Sequence, residues 1–534
     1  MIPSLLRKAR QVAEDATLRR WLLERALGKT PGPPAFSAHH PPYLTSLDLG
    51  TAPEPDGRFQ TFLSEAPTKS ASLDLAGKDF TIEPGQAAFL FDQPFDDVEQ
   101  LLALHRFSWI DDGSDPNWVA AIWQAWQQRF GVPEGGWAWH PYTAAERAIH
   151  LLAFAERHGL PEPYADNWRL LAAHAPVIAS RLEYFGPHYT GNHLANNGRG
   201  LFRLGTAFGW TRAAELGGRI LLEEAKRIFG PSGVLIEGSA HYHLLLSKNY
   251  TEAAEWAAKA GRPETEELDA IAAKARHAAG GLLLSGGLPL IGDISPDLAP
   301  ERLLPQFKRS QADLSADGWH RLEAGDWSLL LFAAPDGWPP MPGHGHQDLG
   351  SFELHWRGVP LIVDAGRGHY GDEGEAALYR QAVVHNGITI SRRDPRPTNR
   401  PYYAPEFRTR MGGPAPRVCH TQHRLTLDYS LQDASISRDF AAGDKCFSIK
   451  DVVSGKGRCP IERALVVPHP LDLSKNTARI STPQGCISLT CDSPLQTSPL
   501  TRWTSYGRGQ PATRLFAQNA VQPLWQGSLM LEVA

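Results

Sequence analysis

The spacing of apolar positions changes character once along the chain. From about residue 95 to 305 apolar residues recur with a helical period, and beyond about residue 318 they alternate with polar ones at period two. In the first stretch, DPNWVAAIWQAWQQRFG predicts a helix with Asp115 as N-cap, Pro116 in the first turn and Gly131 as terminator. YTAAERAIHLLAFAERHG predicts a helix opened by a Thr143/Glu146 capping box and closed at Gly159. Further helical periods at 165–183, 194–209, 211–229, 247–260 and 264–284 are joined by short Gly or Pro links. Such a series packs as antiparallel neighbours, in a bundle or in a toroid of helical hairpins. In the second stretch, DWSLLLFAAP, SFELHWRGVPLIVDAG, HRLTLDYSL, KCFSIKDVVSG, ERALVVPHP and CISLTCD read as strands between turns. Phe352, Leu354 and Trp356 share one face, and Arg357-Gly358 offers a reversal before Leu361 and Val363. Helices followed by strands predict an α+β multidomain chain, a helical domain at 95–310 joined to an antiparallel β-sandwich at 311–534. Ahead of them, 1–94 holds an amphipathic helix (apolar at Leu5, Val12, Leu18, Trp21 and Leu22), a Pro/Gly-dense linker at 31–60 and a small hairpin in SASLDLAGKDFTIEPG. The junction of two such domains is a natural ligand cleft.

Composition narrows the function classes. Lys and Arg total 53 against 58 Asp and Glu, a formal charge of −5 without long like-charge runs, so the concentrated basic field of a nucleic-acid or membrane-surface binder is missing. No run reaches the ~18 apolar residues of a membrane-spanning helix. Five cysteines, all in the last quarter and without a CxxC pair, fit neither a disulfide framework nor a thiolate zinc site. The charged N-terminus lacks the unbroken apolar core of a signal peptide, which predicts a cytoplasmic protein, with the periplasm as the alternative. The 16 Trp and 21 His then matter, because indoles stack on sugars and imidazoles ligate metals or move protons. Six of the tryptophans, Trp109, Trp118, Trp123, Trp126, Trp137 and Trp139, sit in the early helical region, where helical spacing assigns most to the core.

Four segments carry unusual polar density. In Tyr189–Asn197, Asn192 is an N-cap candidate, and Asn192, His193, Asn196 and Asn197 together make a donor-rich mouth for an anion. In Glu237–His243, His241 and His243 fall on one side of an extended segment or on nearly opposite sides of a helix, so spacing alone leaves open whether Tyr242 or a histidine faces a cleft. In Pro342–Gly350, His344 and His346 can project toward one site, and a hairpin would return Asp364 beside His346, a His/His/Asp set suited to zinc. In Leu378–Asn386, Arg380 and His385 add a cation and a further imidazole that could complete the metal shell.

With GNHLANN, EGSAHYH, GHGHQDLGSFEL…GVPLIVDAG and YRQAVVHN in this order, the sequence resembles the heparinase II/III-like polysaccharide lyases, a group that includes oligoalginate lyases, over about residues 95–400. The resemblance implies an (α/α) toroid followed by a β-sandwich with the active site between them. It implies one structural zinc on His346, Asp364 and His385, and catalytic or carboxylate-neutralising roles for Asn192, His193, Tyr242 and His344. A further family tyrosine maps to Tyr370 or Tyr379, and Asn196, His241, Arg380 and Tyr370 are candidate substrate contacts. The implied substrate is an acidic glycan or oligosaccharide containing uronic acid, cleaved by β-elimination to a 4,5-unsaturated end, with no nucleic-acid or membrane partner and a homodimer left open. Two other classes stay in view. One is a non-catalytic glycan-binding or scaffold protein of a surface-polysaccharide pathway, and the other is a glycoside hydrolase, which would need a carboxylate pair such as Glu237 and Asp348.

Overall fold

The computed structural model describes residues 9, 12–13, 16–29, 40–337, 341, 343–396, 414–431, 434–455, 459–520 and 524–534. Leu5 of the expected N-terminal helix and residues 31–39 of the expected linker lie outside them, whereas a helix does span Ala16–Ala26. Residues 40–60 are not a free linker. Leu49 and Phe59 are buried, and the indole N–H groups of Trp210 and Trp168 donate to Leu49 O (2.6 Å) and Pro53 O (2.8 Å). A Pro-rich run that cannot form a ladder has its carbonyls satisfied by side-chain donors, and so becomes a strap across the helices. The small hairpin forms as Ala71–Leu75 paired with Lys78–Ile82, turning through Ala76 and Gly77, both at positive φ.

The helical region runs Val98–Arg106, Pro116–Phe130, Pro141–His158, Tyr164–Ala172, His174–Ser180, Asn192–Phe208, Thr211–Ile228, Ala240–Lys259 and Thr265–Leu282. Pro116–Phe130 begins as its sequence predicts, with the Asp115 carboxylate accepting from Asn117 N, and stops at Gly131. The Thr143/Glu146 capping box does not form. Pro141 takes the first helical position and starts the helix earlier, which carries Thr143 inside and leaves Glu146 to pair with Arg199 at 2.8 Å. Helices Asn192–Phe208 and Thr211–Ile228 approach so closely that a Cβ on Gly205 would lie 2.2 Å from Ala214 N, and one on Gly217 2.3 Å from Phe202 N. Among the described residues no helix is long and apolar enough to cross a membrane.

Beyond the helices, strands Trp319–Ala324, Trp327–Phe332, Phe352–Trp356 and Val359–Ile362 form an antiparallel sheet in chain order. An eight-stranded sheet and a second four-stranded sheet, Leu495–Ser505, Arg508–Ala520, Pro460–Val467 and Ile388–Ile390, complete the sandwich. Its core contains Phe352, Leu354 and Trp356 on their shared face, with Leu427, Phe440, Ile449 and Leu531. The helical core extends into the sandwich at Val363, Ala365, Trp503 and Tyr506, which closes one side of the junction. The architecture is therefore an (α/α) toroid followed by an antiparallel β-sandwich.

Candidate active site

The site grows from one tightly crossed piece of backbone. EGSAHYH is a helix start, not an extended run. Ser239 is the N-cap, its hydroxyl accepting from Tyr242 N (3.1 Å) and donating to Asp293 O (2.7 Å). Ala240 N donates to Ile291 O at 3.0 Å, Asp293 N to His344 O at 2.8 Å, and His344 N to Glu237 O at 3.2 Å. Gly292 has to be glycine: its φ is +84°, and a Cβ would sit 2.4 Å from Gly238 O. Three segments distant in sequence are thus sewn together by main-chain bonds.

On this frame Tyr242 is buried, and its ring lies against His344 with centroids 3.6 Å apart and planes 10° apart. Its hydroxyl is 2.6 Å from that of Tyr370, which in turn donates to Ile294 O at 3.1 Å. Burial, with the Asp297 carboxylate nearby, pushes Tyr242 well above the ordinary phenol range, and burial does the same for Tyr370. Both phenols are therefore proton donors at neutral pH. Of the two tyrosines that the resemblance left open, Tyr370 is the one at the site, while the Tyr379 hydroxyl donates to Thr501 O in the sandwich at 2.8 Å.

His344 is fixed from both edges. Its Nδ1 lies 3.2 Å from Asp293 Oδ2 and its Nε2 3.3 Å from Glu237 Oε2, so it presents a ring face to Tyr242. Asp293 also meets His346 Nε2 at 2.9 Å and Arg367 Nη1 at 3.0 Å. Burial opposes charge on Asp293, but these partners hold its carboxyl well below the usual range. Sequence reasoning missed Asp293, Glu183 and Arg367. The only signal for Asp293 is an acid following the apolar run LPLIG.

Asn192 and His193 open the Asn192–Phe208 helix on the other side of Glu237, where a Cβ on Gly191 would lie 3.4 Å from Glu237 Oε1. Gly191 is the N-cap there, so Asn192 is not capping. Asn192 is buried at this helix start, one residue after Gly191. The His193 side chain is 49% exposed, packs on the Tyr142 ring at 4.6 Å and sets Nδ1 2.7 Å from Glu183 Oε1, which leaves Nε2 to the cleft. The enclosing cleft disfavours its charge, but Glu183 outweighs this and raises His193 above the ordinary imidazole value. The other candidate contacts are placed differently. His241 is fully buried, its Nδ1 accepting from Ser295 N at 2.9 Å, and burial pushes it down to about 3, so it supports the Asp293–Asp297 loop and does not face a ligand. Asn196 reaches Tyr142 O at 3.5 Å with its buried Oδ1 unpaired. Arg380 lies beside the loop of His346, its carbonyl accepting from Gln347 N at 2.9 Å and its guanidinium 3.9 Å from Asp372.

His346, Asp364 and His385 converge as expected: one ligand atom from each lies within 4.8 Å of the others. Asp364 Oδ2 is 2.9 Å from His385 Nδ1, while His346 Nδ1 and His385 Nε2 are buried with no partner. Two orphaned imidazole nitrogens beside a buried carboxylate suit a small divalent cation, with Asp293 orienting His346 from behind. Asp348, one of the acids a hydrolase would require, is buried nearby and pushed up to about 7 by burial, and Glu237 is committed to His344.

Residues 308–412 match a family model described as Heparinase II/III-like, C-terminal. No curated protein matches the chain. Among solved structures the chain is similar to a heparinase III (TM-score 0.64, 14% identity, covering 83% of this chain and 78% of that one). It is likewise similar to another heparinase III gene product (0.58, 16%, 83% and 80%) and to a mutant of a heparan sulfate lyase from Pedobacter heparinus (0.55, 16%, 82% and 77%). At these identities the likeness is one of fold.

Proposed function

We propose that this heparinase II/III-like chain is a polysaccharide lyase that cleaves a uronic-acid-containing glycan by β-elimination, leaving a 4,5-unsaturated uronate end. The observation that carries the reading is the buried Tyr242–Tyr370 hydroxyl pair at 2.6 Å, with the Tyr242 ring stacked on His344 and Glu237 linking His344 to the helix start at Gly191. Elimination from a 4-linked uronate needs charge stabilisation on the C6 carboxylate, a base for the C5 proton and an acid for the departing O4. The Asn192 amide, at the helix start beside Glu237, serves the first need by donating to the enolate-like carboxylate as charge develops. His193 Nε2, its Nδ1 anchored on Glu183, takes the C5 proton when neutral. The C5 electrons form the C4=C5 bond, the C4–O4 bond breaks, and O4 receives the Tyr242 proton. The tyrosinate so formed accepts from Tyr370 once that hydroxyl turns from Ile294 O, and is reprotonated from solvent as His193 releases the C5 proton to it.

Tyr242 is the acid and not the resting base, since burial and Asp297 keep its proton on. A substrate carboxylate would hold it there more firmly. A divalent cation on His346, Asp364 and His385 would supply structural cross-linking, fixing the strand and loop that present His344. A hydrolase fits less well. Around the site Glu183, Glu237, Asp293 and Asp297 each engage an imidazole or a guanidinium, which commits these carboxylates to ion pairs. Incubation with a panel of uronate oligosaccharides tests the proposal through the far-UV absorbance of the conjugated product. Cleavage without that absorbance points to hydrolysis, and binding without cleavage to a glycan-binding protein.

A further inference from the structure

Tyr370 sits on a segment, 363–373, that belongs to no helix or strand, so no ladder of hydrogen bonds holds its main chain. Its amide instead donates to the Tyr506 hydroxyl at 3.1 Å, and that hydroxyl donates to Asp97 Oδ2 at 2.8 Å. The two tyrosine rings meet edge to face, centroids 5.1 Å apart at 76°. Asp97 is itself fixed. Its other oxygen caps the Val98–Arg106 helix by accepting from Glu99 N at 2.9 Å, and His369 Nδ1 lies 3.2 Å from Oδ2. Tyr506 is fixed as well, because it occupies the turn between strands Leu495–Ser505 and Arg508–Ala520. Gly507 N donates to Gly368 O at 2.9 Å. The 71–82 hairpin seats against the turn so closely that a Cβ on Gly77 would fall 1.9 Å from Tyr506 O, and Arg508 reaches Asp74 and Asp79 at 3.1 Å each.

We propose that Tyr506, braced by Asp97, is a positioning residue: it fixes the Tyr370 main chain so that the Tyr370 hydroxyl meets that of Tyr242. This rests on the lyase reading above. At this one hydroxyl the cap of the toroid's first helix meets the Tyr370 amide, while the N-terminal hairpin packs on the main chain of the same sandwich turn. Among the described residues, that hydroxyl touches the site through the backbone of Tyr370. Displacing a positioned group by an ångström costs up to ~10² in rate, so the clamp should act on turnover and not on substrate affinity.

The test uses the full chain and a uronate oligosaccharide that the wild type converts to the absorbing product. Tyr506→Phe keeps the ring and removes the hydroxyl. Asp97→Asn keeps the helix cap and removes the charge. Each is expected to lower kcat roughly tenfold with KM within about twofold of wild type and the melting temperature little moved. In a Tyr370→Phe background, Tyr506→Phe should cost almost nothing more, since its effect runs through the absent hydroxyl. Losses that multiply fully in the double variant, a change confined to KM, or an unchanged kcat per folded molecule in both single variants would overturn the clamp. Should Tyr506→Phe fold poorly, the same split is read from Asp97→Asn. A wild type that forms no unsaturated product removes the lyase reading and the clamp with it. A wild type that does, with independent losses, removes the clamp alone.

Discussion

His344 lies flat against Tyr242, ring centroids 3.6 Å apart and planes 10° from parallel, while two carboxylates occupy its ring edges. An imidazole so held cannot turn to the substrate, and its influence reaches the reaction through the face it shares with the phenol. In the proposed reaction, proton delivery to O4 therefore falls to Tyr242. Tyr242→Phe removes one oxygen, leaves the stack intact and leaves Tyr370 bonded to Ile294 O. Turnover should fall by the ~10²–10⁴ typical of losing a general acid, with the melting temperature barely moved. Near-normal elimination by a folded Tyr242→Phe variant would take this residue out of the mechanism.

The pH dependence tests His193. Glu183 beside Nδ1 raises its pKa, so the neutral, proton-accepting form grows in above the ~6.5 of an unperturbed imidazole. kcat/KM should rise with pH through an apparent value above that, and Glu183→Gln should move the rise to lower pH. The same contact affects stability with a definite sign. Because the folded pKa is raised, its contribution is complete below the unfolded value and is lost as pH climbs through the folded one. The melting-temperature deficit of Glu183→Gln should therefore be larger in mild acid than above neutrality, and modest, since His193 is half exposed. A rate profile unaltered by Glu183→Gln would assign the base elsewhere.

Asn192 offers a separate measure of charge stabilisation. Asn192→Ala removes the amide from the start of its helix and leaves the Gly191 N-cap in place. It should lower kcat by ~10²–10³, comparable to removing one oxyanion donor. An effect on KM alone would mean that the amide binds substrate and transition state equally.

Much of this was legible in the residues because local rules and tertiary packing agree there. Asp115, Pro116 and Gly131 bound a helix wherever it packs, and Arg357-Gly358 closes a two-residue hairpin with both residues at positive φ. His346 and Asp364 are marked by a turn rich in imidazoles and by the return of that hairpin, whereas His385, and not His344, joins them through the family resemblance. The Thr143 capping box failed because Pro141, a stronger local signal two residues earlier, sets the helix start. Asp293 could not be found by spacing, since its partners His344, His346 and Arg367 lie more than 50 residues away and only the folded loop joins them. Strands such as Leu495–Ser505 were missed because their outward positions hold Gln, Thr and Arg in a weak alternation.

The metal prediction ties the sandwich to the site. His346 Nδ1 and His385 Nε2 are buried without partners, an arrangement costly for bare imidazoles and suited to a cation. Elemental analysis of the purified protein should find about one divalent ion per chain, zinc by the N/O donor set. Binding energy at such a site is folding energy, so Asp364→Ala, His385→Ala or prolonged chelation should lower the melting temperature. Because Asp293 holds both His346 and His344, loosening the triad should also cost turnover, but only as the fold loosens. Absence of any stoichiometric metal would sink the assignment. A variant with unchanged melting temperature and abolished turnover would instead give the ion a part in the chemistry.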